Sequence, residues 1–355
     1  MRPPHRWAAY EHWSVDYLLS KYADVPFRAE SVDWPFRSYV EYMRSSSDES
    51  PLYLFDHSFA EKMQVKVPEP TKARLYERSF SELKDRIVGT HCTSVPFYYP
   101  NSEKTVKPGY RSDHDARTVA YWPPTCFGPK QDLFSVLGDQ RPHHRWLIIG
   151  PARSGSTFHK DPNGTCAWNA VLRGRKYWIM FPSSSNFPPP PGVFVSEDQS
   201  EVTSPLSIAE WLLGFHAEAR HTPGCIEAIC EEGEMLYVPA GWYHLVVNLE
   251  ESIALTQNFV PRRNLKDVLA FLRDQKDSIS GFADSVEDPY GLFVEELRRK
   301  EPEALTEALE KLERDGKGKR GRWEELTGKG KEEDGESAGG FSFGFGGDDE
   351  DGEVP

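Results

Sequence analysis

The segment His159-Lys160-Asp161 carries the residue types best suited to chemistry in this chain. In a β-strand, positions i and i+2 face the same side, so His159 and Asp161 would point into one cavity. On a helix the two side chains would lie about 200° apart and could not share one ion. A second imidazole is available at His244, which follows a turn and enters another apolar run. Two histidines and one carboxylate form the facial triad of non-haem Fe(II) oxygenases, which leaves positions open for a chelating 2-oxo acid and dioxygen.

A 2-oxo diacid bound at such a site would leave its second carboxylate buried, where it needs a cation and hydrogen-bond donors. Lys176, in a predicted strand, can supply the cation. Arg173 and Arg175 compete for this role, because alternation alone does not choose among the three. The other interpretation of Lys176 is a solvent-facing strand lysine. Thr256, in a later predicted strand, can supply a hydroxyl.

A second segment of the same form, His216-Ala217-Glu218, follows helix-start signals at Ser204-Pro205. An apolar stripe that includes Ile208 and Trp211 supports a helix there. Helical spacing is wrong for shared ligation, so we predict that His216 is a structural or surface residue. The remaining histidines show no ligand spacing.

Short apolar runs separated by turn residues must position these side chains. The runs cover residues 145–150, 175–181, 225–230, 235–238, 243–249 and 252–259. Several short strands at close spacing are typical of an all-β barrel or a double-sheet jelly roll.

The flanking regions differ from this middle part. Residues 263–314 show helical periodicity and are expected either to cover one face of the barrel or to mediate dimerisation. From residue 315 to 355 there are 12 acidic and 6 basic residues among many glycines, which predicts a disordered acidic tail. Residues 62–125 mix helix-like and loop-like signals and allow no assignment.

Composition narrows the class of protein. Lys and Arg total 42 against 56 Asp and Glu, a net charge of −14. This charge disfavours strong direct nucleic-acid binding and favours basic protein partners. Five cysteines without a CxxC pair disfavour a disulfide framework. With no signal-peptide core at the N-terminus and no run of about 18 apolar residues, we expect an intracellular protein without a membrane partner.

Ordered motifs across the chain resemble the JmjC domain family. They are Gly150-Pro151-Ala152-Arg153-Ser154-Gly155, His159-Lys160-Asp161-Pro162, Gly164-Thr165-Cys166-Ala167-Trp168-Asn169, Gly174-Arg175-Lys176-Tyr177-Trp178, the run from Val238 to Leu249, and Thr256-Gln257-Asn258-Phe259. Residues 13–18 and 50–56 narrow the resemblance to the bifunctional arginine demethylase and lysyl hydroxylase subfamily, once described as phosphatidylserine receptors. The likeness covers most of residues 13–60 and 130–262.

The resemblance implies a mainly β, cupin-like JmjC barrel, a double-stranded β-helix with flanking helices, that binds Fe(II) and 2-oxoglutarate and uses O₂ as cosubstrate. It implies that His159, Asp161 and His244 bind the metal and that Lys176 pairs with the distal carboxylate of 2-oxoglutarate. Four further residues are implied to help hold the cosubstrate: Thr256, Asn169, Ser156 and Tyr53. The predicted organisation is an N-terminal helical and mixed region (1–125) with an insertion at about 62–125, the barrel (126–262), C-terminal helices (263–314) and the tail (315–355).

The expected activity is lysyl hydroxylation of basic, Lys/Arg-rich protein substrates. Demethylation of N-methyl-arginine at the same site and a catalytically inactive JmjC binding module are the alternatives. A zinc hydrolase is disfavoured, because Glu231 and Glu232, the candidate general bases, fall in a predicted turn. The basic run 317–322 and the resemblance favour the nucleus, with the cytoplasm as the alternative, and the C-terminal helices allow a homodimer.

Overall fold

The computed structural model describes residues 7–67, 94–96, 119–124, 127, 131–184, 186–196 and 201–327. The strands within these ranges are β1 Pro26–Ala29, β2 Val32–Pro35, β3 Leu54–Asp56, β4 Ser94–Pro96, β5 Arg145–Gly150, β6 Gly155–His159, β7 Cys166–Arg173, β8 Lys176–Phe181, β9 Phe194–Val195, β10 Val202–Thr203, β11 Ile226–Cys230, β12 Glu234–Val238, β13 Tyr243–Asn248 and β14 Ser252–Phe259.

Two antiparallel sheets make up the barrel. The large sheet has the order β2-β1-β3-β5-β14-β7-β12-β4, and the small sheet has the order β11-β8-β13-β6. Strand β14 lies between β5 and β7, and β13 lies between β8 and β6. The prediction of a mainly β, double-sheet barrel is confirmed. The large sheet also takes β1, β2 and β3 from the predicted N-terminal region.

Alternation along the strands separates the barrel interior from its two outer faces. Trp168 and Leu172 on β7 pack outward against the N-terminal elements. Ile179 on β8 and Leu245 on β13 pack outward on the small sheet. A third cluster draws on both sheets and therefore fills the space between them: Ala167, Val171, Leu236 and Val238 from the large sheet, and Trp178, Met180, Cys230 and Val246 from the small sheet.

Within the described residues of the N-terminal region, the helices are short: α1 Ala8–His12, α2 Val15–Tyr22, α3 Phe36–Ser45 and α4 Phe59–Lys62. Their apolar residues belong to the cluster on the outer face of the large sheet. The Tyr39 hydroxyl of α3 donates to the Ile149 carbonyl of β5 at 2.7 Å, which ties helix to sheet.

Helices α5 (Ile208–Gly214) and α6 (His216–Ala219) belong to the small-sheet side. The ring of Trp211 packs edge-on against Phe158 of β6, 4.8 Å between centroids. The predicted helix start at Ser204-Pro205 is wrong. The helix begins after Ser207, because Ser207 and Glu210 form a reciprocal capping box that satisfies both backbone N–H groups.

The C-terminal helices are α7 Leu265–Asp274, α8 Pro289–Lys300 and α9 Pro302–Thr327. The predicted apolar face of α7 is fully buried within the chain, and Phe293 of α8 packs on Phe134 with ring centroids 4.8 Å apart. Helices α7 and α8 cover a face of the fold, and the homodimer stays a prediction. None of the helices in the described ranges is both long and apolar enough to cross a membrane.

The chain divides into two compact units, Met1–Leu309 and Glu310–Pro355. The second unit is helical up to Thr327, so the predicted start of the disordered tail at 315 is too early. Once a helix has begun, each added residue costs little, and the many Glu, Lys and Arg residues of this stretch are good helix formers. Residues 328–355 of the predicted tail lie outside the described residues.

The ends of the predicted insertion at 62–125 lie together. Lys66 pairs with Val119 in a parallel bridge, and the Ala120 N–H donates to the Lys66 carbonyl at 2.9 Å. Between them, Ser94–Pro96 forms the edge strand β4 beside β12. Most of the rest of the segment lies outside the described residues.

Candidate functional site

His159 and His244 face each other across β6 and β13. They are direct register partners, and their ring centroids lie 4.1 Å apart. A β-bulge follows, since the next paired residues are Ser156 and Val246. Val246 belongs to the interior cluster, so the bulge lets both His159 and Ser156 face the interior.

Asp161 lies just beyond the strand that was predicted to carry it. Strand β6 ends at His159, and a 3₁₀ turn, Pro162–Gly164, follows Asp161. The prediction of one strand through both residues is therefore wrong in its extent. The backbone of Asp161 is nonetheless extended, with φ −63° and ψ 146°, and Asp161 interacts electrostatically with His159.

Both imidazoles are prepared to act as neutral ligands. The Nδ1 atom of His159 is 2.8 Å from the Thr157 carbonyl, and that of His244 is 3.1 Å from the Trp242 carbonyl. A proton on Nδ1 leaves Nε2 as the acceptor or metal ligand. Burial lowers the pKa of His159 and His244 to about 4, so both rings are neutral at pH 7.

The Asp161 carboxylate is buried beside Asn258, which hydrogen-bonds to it. Its Oδ2 atom has no hydrogen-bond partner. Burial raises the pKa of this carboxyl group to about 6, because the charged form loses its contact with water. A buried carboxylate oxygen without a partner is costly unless a cation meets it, so the donor set suits a divalent metal ion.

Within the part of the chain that the structure describes, no three His, Cys, Asp or Glu side chains are already placed to hold a metal ion together. Closing His159, Asp161 and His244 on one ion therefore requires side-chain movement. The complete ligand set stays a prediction.

Of the three candidate cations, Lys176 alone enters the interior. Its side chain is 3 % exposed, and its Nζ donates to Asn248 Oδ1 at 2.6 Å. Arg173 instead donates to the Tyr10 carbonyl, and Arg175 pairs with Glu250 at the surface. Burial lowers the pKa of Lys176 to about 8, so the ammonium is still charged at pH 7.

The other predicted cosubstrate residues fall into two pairs. Thr256 and Asn169 are cross-strand partners on the interior faces of β14 and β7, and Asn169 Oδ1 is buried without a hydrogen-bond partner. The Thr256 hydroxyl donates to the Trp168 carbonyl at 2.9 Å. Tyr53 and Ser156 hydrogen-bond to each other, and burial raises the pKa of Tyr53 to about 12.

The metal and cation ends of the site share one face of the small sheet. On β13, His244 and Asn248 both point inward, and Asn248 is the register partner of Lys176 on β8. His244 and Asn248 are four residue steps apart along the strand, roughly 13 Å. The barrel interior thus offers a neutral imidazole pair at one end and a buried ammonium at the other.

Sequence reasoning missed two residues of this interior. Trp178 stacks on His244, with ring centroids 5.9 Å apart, and its Nε1 is buried without a partner. Asn248 holds the Lys176 ammonium. Both lie an even number of residues from a predicted site residue on the same strand, and this alternation was the available signal.

The other histidine segment lies outside the barrel, as predicted. His216 on α6 contacts Glu227 of β11, with Nε2 and Oε1 2.6 Å apart. The two glutamates considered for a zinc hydrolase lie with arginines, Glu231 with Arg175 and Glu232 with Arg173.

The metal-free protein is expected to lose stability as the pH falls from about 6.5 to about 4. Over this range the unfolded chain protonates His159 and His244 while the folded chain does not, which for His244 amounts to ~3 kcal/mol. Asp161, whose raised pKa acts in the opposite direction, offsets part of this loss. Urea unfolding with a chelator present, at several pH values, measures the slope.

His244→Asn provides the comparison, because it removes one titrating group and leaves in place His144, whose pKa desolvation also lowers. The variant should show a shallower pH slope than the wild type. Equal slopes would contradict the assignment of a depressed pKa to His244.

Comparison with known proteins identifies similar chains. The family model for the cupin-like domain matches residues 4–264. The chain is 39 % identical over 311 residues to the arginine-specific demethylase JMJ22 of Arabidopsis thaliana. The aligned residues make up 84 % of this chain and 51 % of JMJ22. It is 31 % identical over 273 residues to the bifunctional arginine demethylase and lysyl-hydroxylase psr-1 of Caenorhabditis elegans, 73 % of this chain and 54 % of the relative.

A shorter match is to the human 2-oxoglutarate and iron-dependent oxygenase JMJD4, 31 % identical over 158 residues, 41 % of this chain and 34 % of the relative. The chain spans about half the length of JMJ22 and psr-1.

Proposed function

Because the chain belongs to the cupin-like domain family, we propose that it is an Fe(II)- and 2-oxoglutarate-dependent oxygenase of the JmjC type that acts on protein side chains. The names of its relatives support this class of reaction. One observation carries the proposal: a buried ammonium, Lys176, shares the interior face of the small sheet with the paired imidazoles of His159 and His244. A dianionic chelator fits such a site at both ends.

The residues present fit both groups. His159, Asp161 and His244 would hold the metal, and the unpartnered Oδ2 of Asp161 is the atom that most needs a cation. Lys176 would pair with the distal carboxylate, and Asn169, Thr256, Ser156 and Tyr53 would complete the cosubstrate pocket. When bound, Fe(II) and 2-oxoglutarate would supply dioxygen activation and insertion of one oxygen atom into a substrate C–H bond, with succinate and CO₂ as products.

Apolar and aromatic side chains surround the interior part of the site. Trp178 covers one face of the His244 ring, and Val171 and Val246 line the interior between the sheets. Because Lys176 is buried, the low dielectric around it strengthens its attraction to a carboxylate. The Nδ1 contacts of both histidines favour the tautomer in which Nε2 is the atom left to bind a metal ion.

We favour lysyl hydroxylation, for which the likeness to psr-1 is the support. Demethylation of N-methyl-arginine is the second candidate, supported by the likeness to JMJ22. The same site can perform both reactions, because each begins with hydroxylation of a C–H bond. The products differ because a hydroxylated lysine carbon is stable, whereas a hydroxylated N-methyl group is lost as formaldehyde. The net charge of −14 supports basic, Lys/Arg-rich substrates.

Mass spectrometry of a Lys/Arg-rich peptide library, unmethylated and methylated, tests the activity in the presence of Fe(II), ascorbate and 2-oxoglutarate. We expect a gain of one oxygen on lysine. Loss of a methyl group with release of formaldehyde would instead support the demethylase. Succinate formation without any change in a peptide would support the proposed oxygenase reaction but show that these peptides are not substrates. No oxygen-dependent succinate at all would support an inactive binding module. Acidic peptides of matched length are the control, and equal activity on them would contradict the charge argument.

A further inference from the structure

The turn between β5 and β6, residues 150–155, has no role in the proposed reaction, yet three hydrogen bonds join it to Asn248. The Asn248 N–H donates to the Ser154 carbonyl, and the Arg153 N–H donates to the Asn248 carbonyl, both at 2.8 Å. The Asn248 side chain also reaches this turn, because its Nδ2 donates to Ser154 Oγ at 2.9 Å. Asn248 is therefore fixed at both its backbone and its side chain.

The direction of the Asn248 amide follows from donors and acceptors. The Lys176 ammonium can only donate, so the atom facing it at 2.6 Å must be Oδ1. The Ser154 hydroxyl donates to the Pro151 carbonyl at 2.7 Å, so it accepts from Nδ2. A single chain of hydrogen bonds runs from Lys176 through Asn248 and Ser154 to Pro151.

The turn is built to make this contact. Arg153 has a positive φ of 75°, a left-handed conformation that is unfavourable for a residue with a side chain. At Gly150, a Cβ atom would come within 2.9 Å of Asn248 Nδ2 and would also clash with Ser154 Oγ. The left-handed conformation of Arg153 and the missing side chain at Gly150 both allow Ser154 to contact Asn248.

Asn248 contributes an uncharged acceptor. Among the ion pairs found in the described ranges, none joins a carboxylate to Lys176, although the ammonium is fully buried and charged at pH 7. An aspartate at position 248 would neutralise this charge, whereas asparagine orients the ammonium and leaves its charge available. Lysine donates three hydrogen bonds, so two remain after the bond to Asn248.

We propose that Asn248, locked by the turn 150–155, is a positioning residue that aims the Lys176 ammonium at the distal carboxylate of the 2-oxo acid without neutralising it. This inference rests on the proposed function, because it takes the cosubstrate to be 2-oxoglutarate. It assigns a role to the Gly-Pro-Ala-Arg-Ser-Gly motif.

Equilibrium binding to the full chain loaded with Mn(II) tests the proposal without turnover. Two ligands are compared: 2-oxoglutarate, and 2-oxopentanoate, which has the same carbon chain but lacks the distal carboxylate. Asn248→Asp keeps the shape and the acceptor but adds a competing carboxylate beside Lys176. We expect its dissociation constant for 2-oxoglutarate to rise about ten-fold or more, and that for 2-oxopentanoate to stay within about two-fold.

Ser154→Ala is the second variant, useful also if Asn248→Asp does not fold. It removes the acceptor for Asn248 Nδ2, so the amide is less well oriented. A smaller loss, about three-fold, is expected for 2-oxoglutarate alone. In a Lys176→Met background, Ser154→Ala should have no further effect on 2-oxoglutarate binding, because no ammonium is left for Asn248 to orient.

Three results would overturn the proposal. Unchanged 2-oxoglutarate binding in both variants would exclude a positioning role, and equal weakening of both ligands would show a merely structural one. No binding of 2-oxoglutarate by the wild type would reject this inference together with the proposed function. In contrast, wild-type binding that is sensitive to Asn248→Asp, with no oxygen-dependent succinate formation, would reject the proposed function alone.

Discussion

The Asp161→Ala variant is expected to lose oxygen-dependent formation of succinate from 2-oxoglutarate, by roughly a thousand-fold or more. Asp161 supplies the only carboxylate of the predicted ligand set, and its unpartnered Oδ2 is the atom that a metal ion would satisfy. Two histidines alone would bind the ion weakly and would not fix its geometry. Succinate formation and Mn(II) binding should therefore fail together.

The fold of Asp161→Ala should survive. Burial raises the pKa of Asp161, so the metal-free wild type carries a penalty for the buried charge above that pKa. The penalty is absent below about pH 4, where the carboxyl group is protonated in both states. Without metal, the variant should therefore be at least as stable as the wild type at pH 7.5, as measured by urea unfolding.

Glu218→Ala is the matched control, because Glu218 belongs to the other His-x-acid segment and lies exposed on α6. It should retain wild-type turnover. Full turnover by Asp161→Ala would show that the ligand set is misassigned, and a loss of turnover in both variants would point to a general effect on folding.

The two-residue period of strands explains why the site chemistry could be predicted from sequence. Thr256 and Lys176 face the interior because the residues on either side of them, such as Leu255 and Tyr177, pack on the outer faces. The same rule could have found Trp178 and Asn248. Neither residue type by itself suggests metal or acid chemistry, so their function does not follow from the sequence alone.

Other features depend on contacts that no local pattern contains. The bulge that turns both Ser156 and His159 inward exists only in the pairing of β6 with β13. Strand β4 is defined by its pairing with β12, and its own sequence has only three residues in the ladder. The choice of Lys176 over Arg173 and Arg175 likewise required the partners Tyr10 and Glu250, which are distant in sequence.

Helix ends show a different limit. Ser204-Pro205 is a good start signal, but the capping box at Ser207 and Glu210 satisfies two backbone groups and determines the observed start. At the other end, the glycines after residue 315 predicted a tail, yet the helix continues to Thr327. Competing local signals of similar strength, each about 1 kcal/mol, cannot be ranked without the surrounding structure.

The Lys176→Met variant is expected to raise the 2-oxoglutarate requirement by about a hundred-fold while leaving the metal-free protein no less stable. The distal carboxylate would lose its counter-ion inside the barrel. KM for 2-oxoglutarate should therefore rise far more than kcat falls. Steady-state kinetics with 2-oxopentanoate as the alternative cosubstrate should show little change.

The Lys176→Met substitution should weaken 2-oxoglutarate binding without lowering the folding stability of the metal-free protein. Burial lowers the pKa of Lys176 to about 8 from 10.5, so the penalty for the buried charge, ~3 kcal/mol, is fully present below pH 8 and vanishes above about 10.5. Methionine removes this penalty but leaves Asn248 Oδ1 without its donor, which costs ~1–3 kcal/mol. Urea unfolding at pH 7 should show equal or greater stability than wild type, and any advantage should disappear as the pH rises through this window.

Arg173→Met and Arg175→Met are matched controls on either side of the same turn, and both side chains are engaged outside the interior. Neither should change the 2-oxoglutarate requirement. A rise in KM confined to one of these arginine variants would transfer the counter-ion role to that residue. A Lys176→Met protein that binds 2-oxoglutarate normally but unfolds readily would show that the buried ammonium serves the fold rather than the ligand.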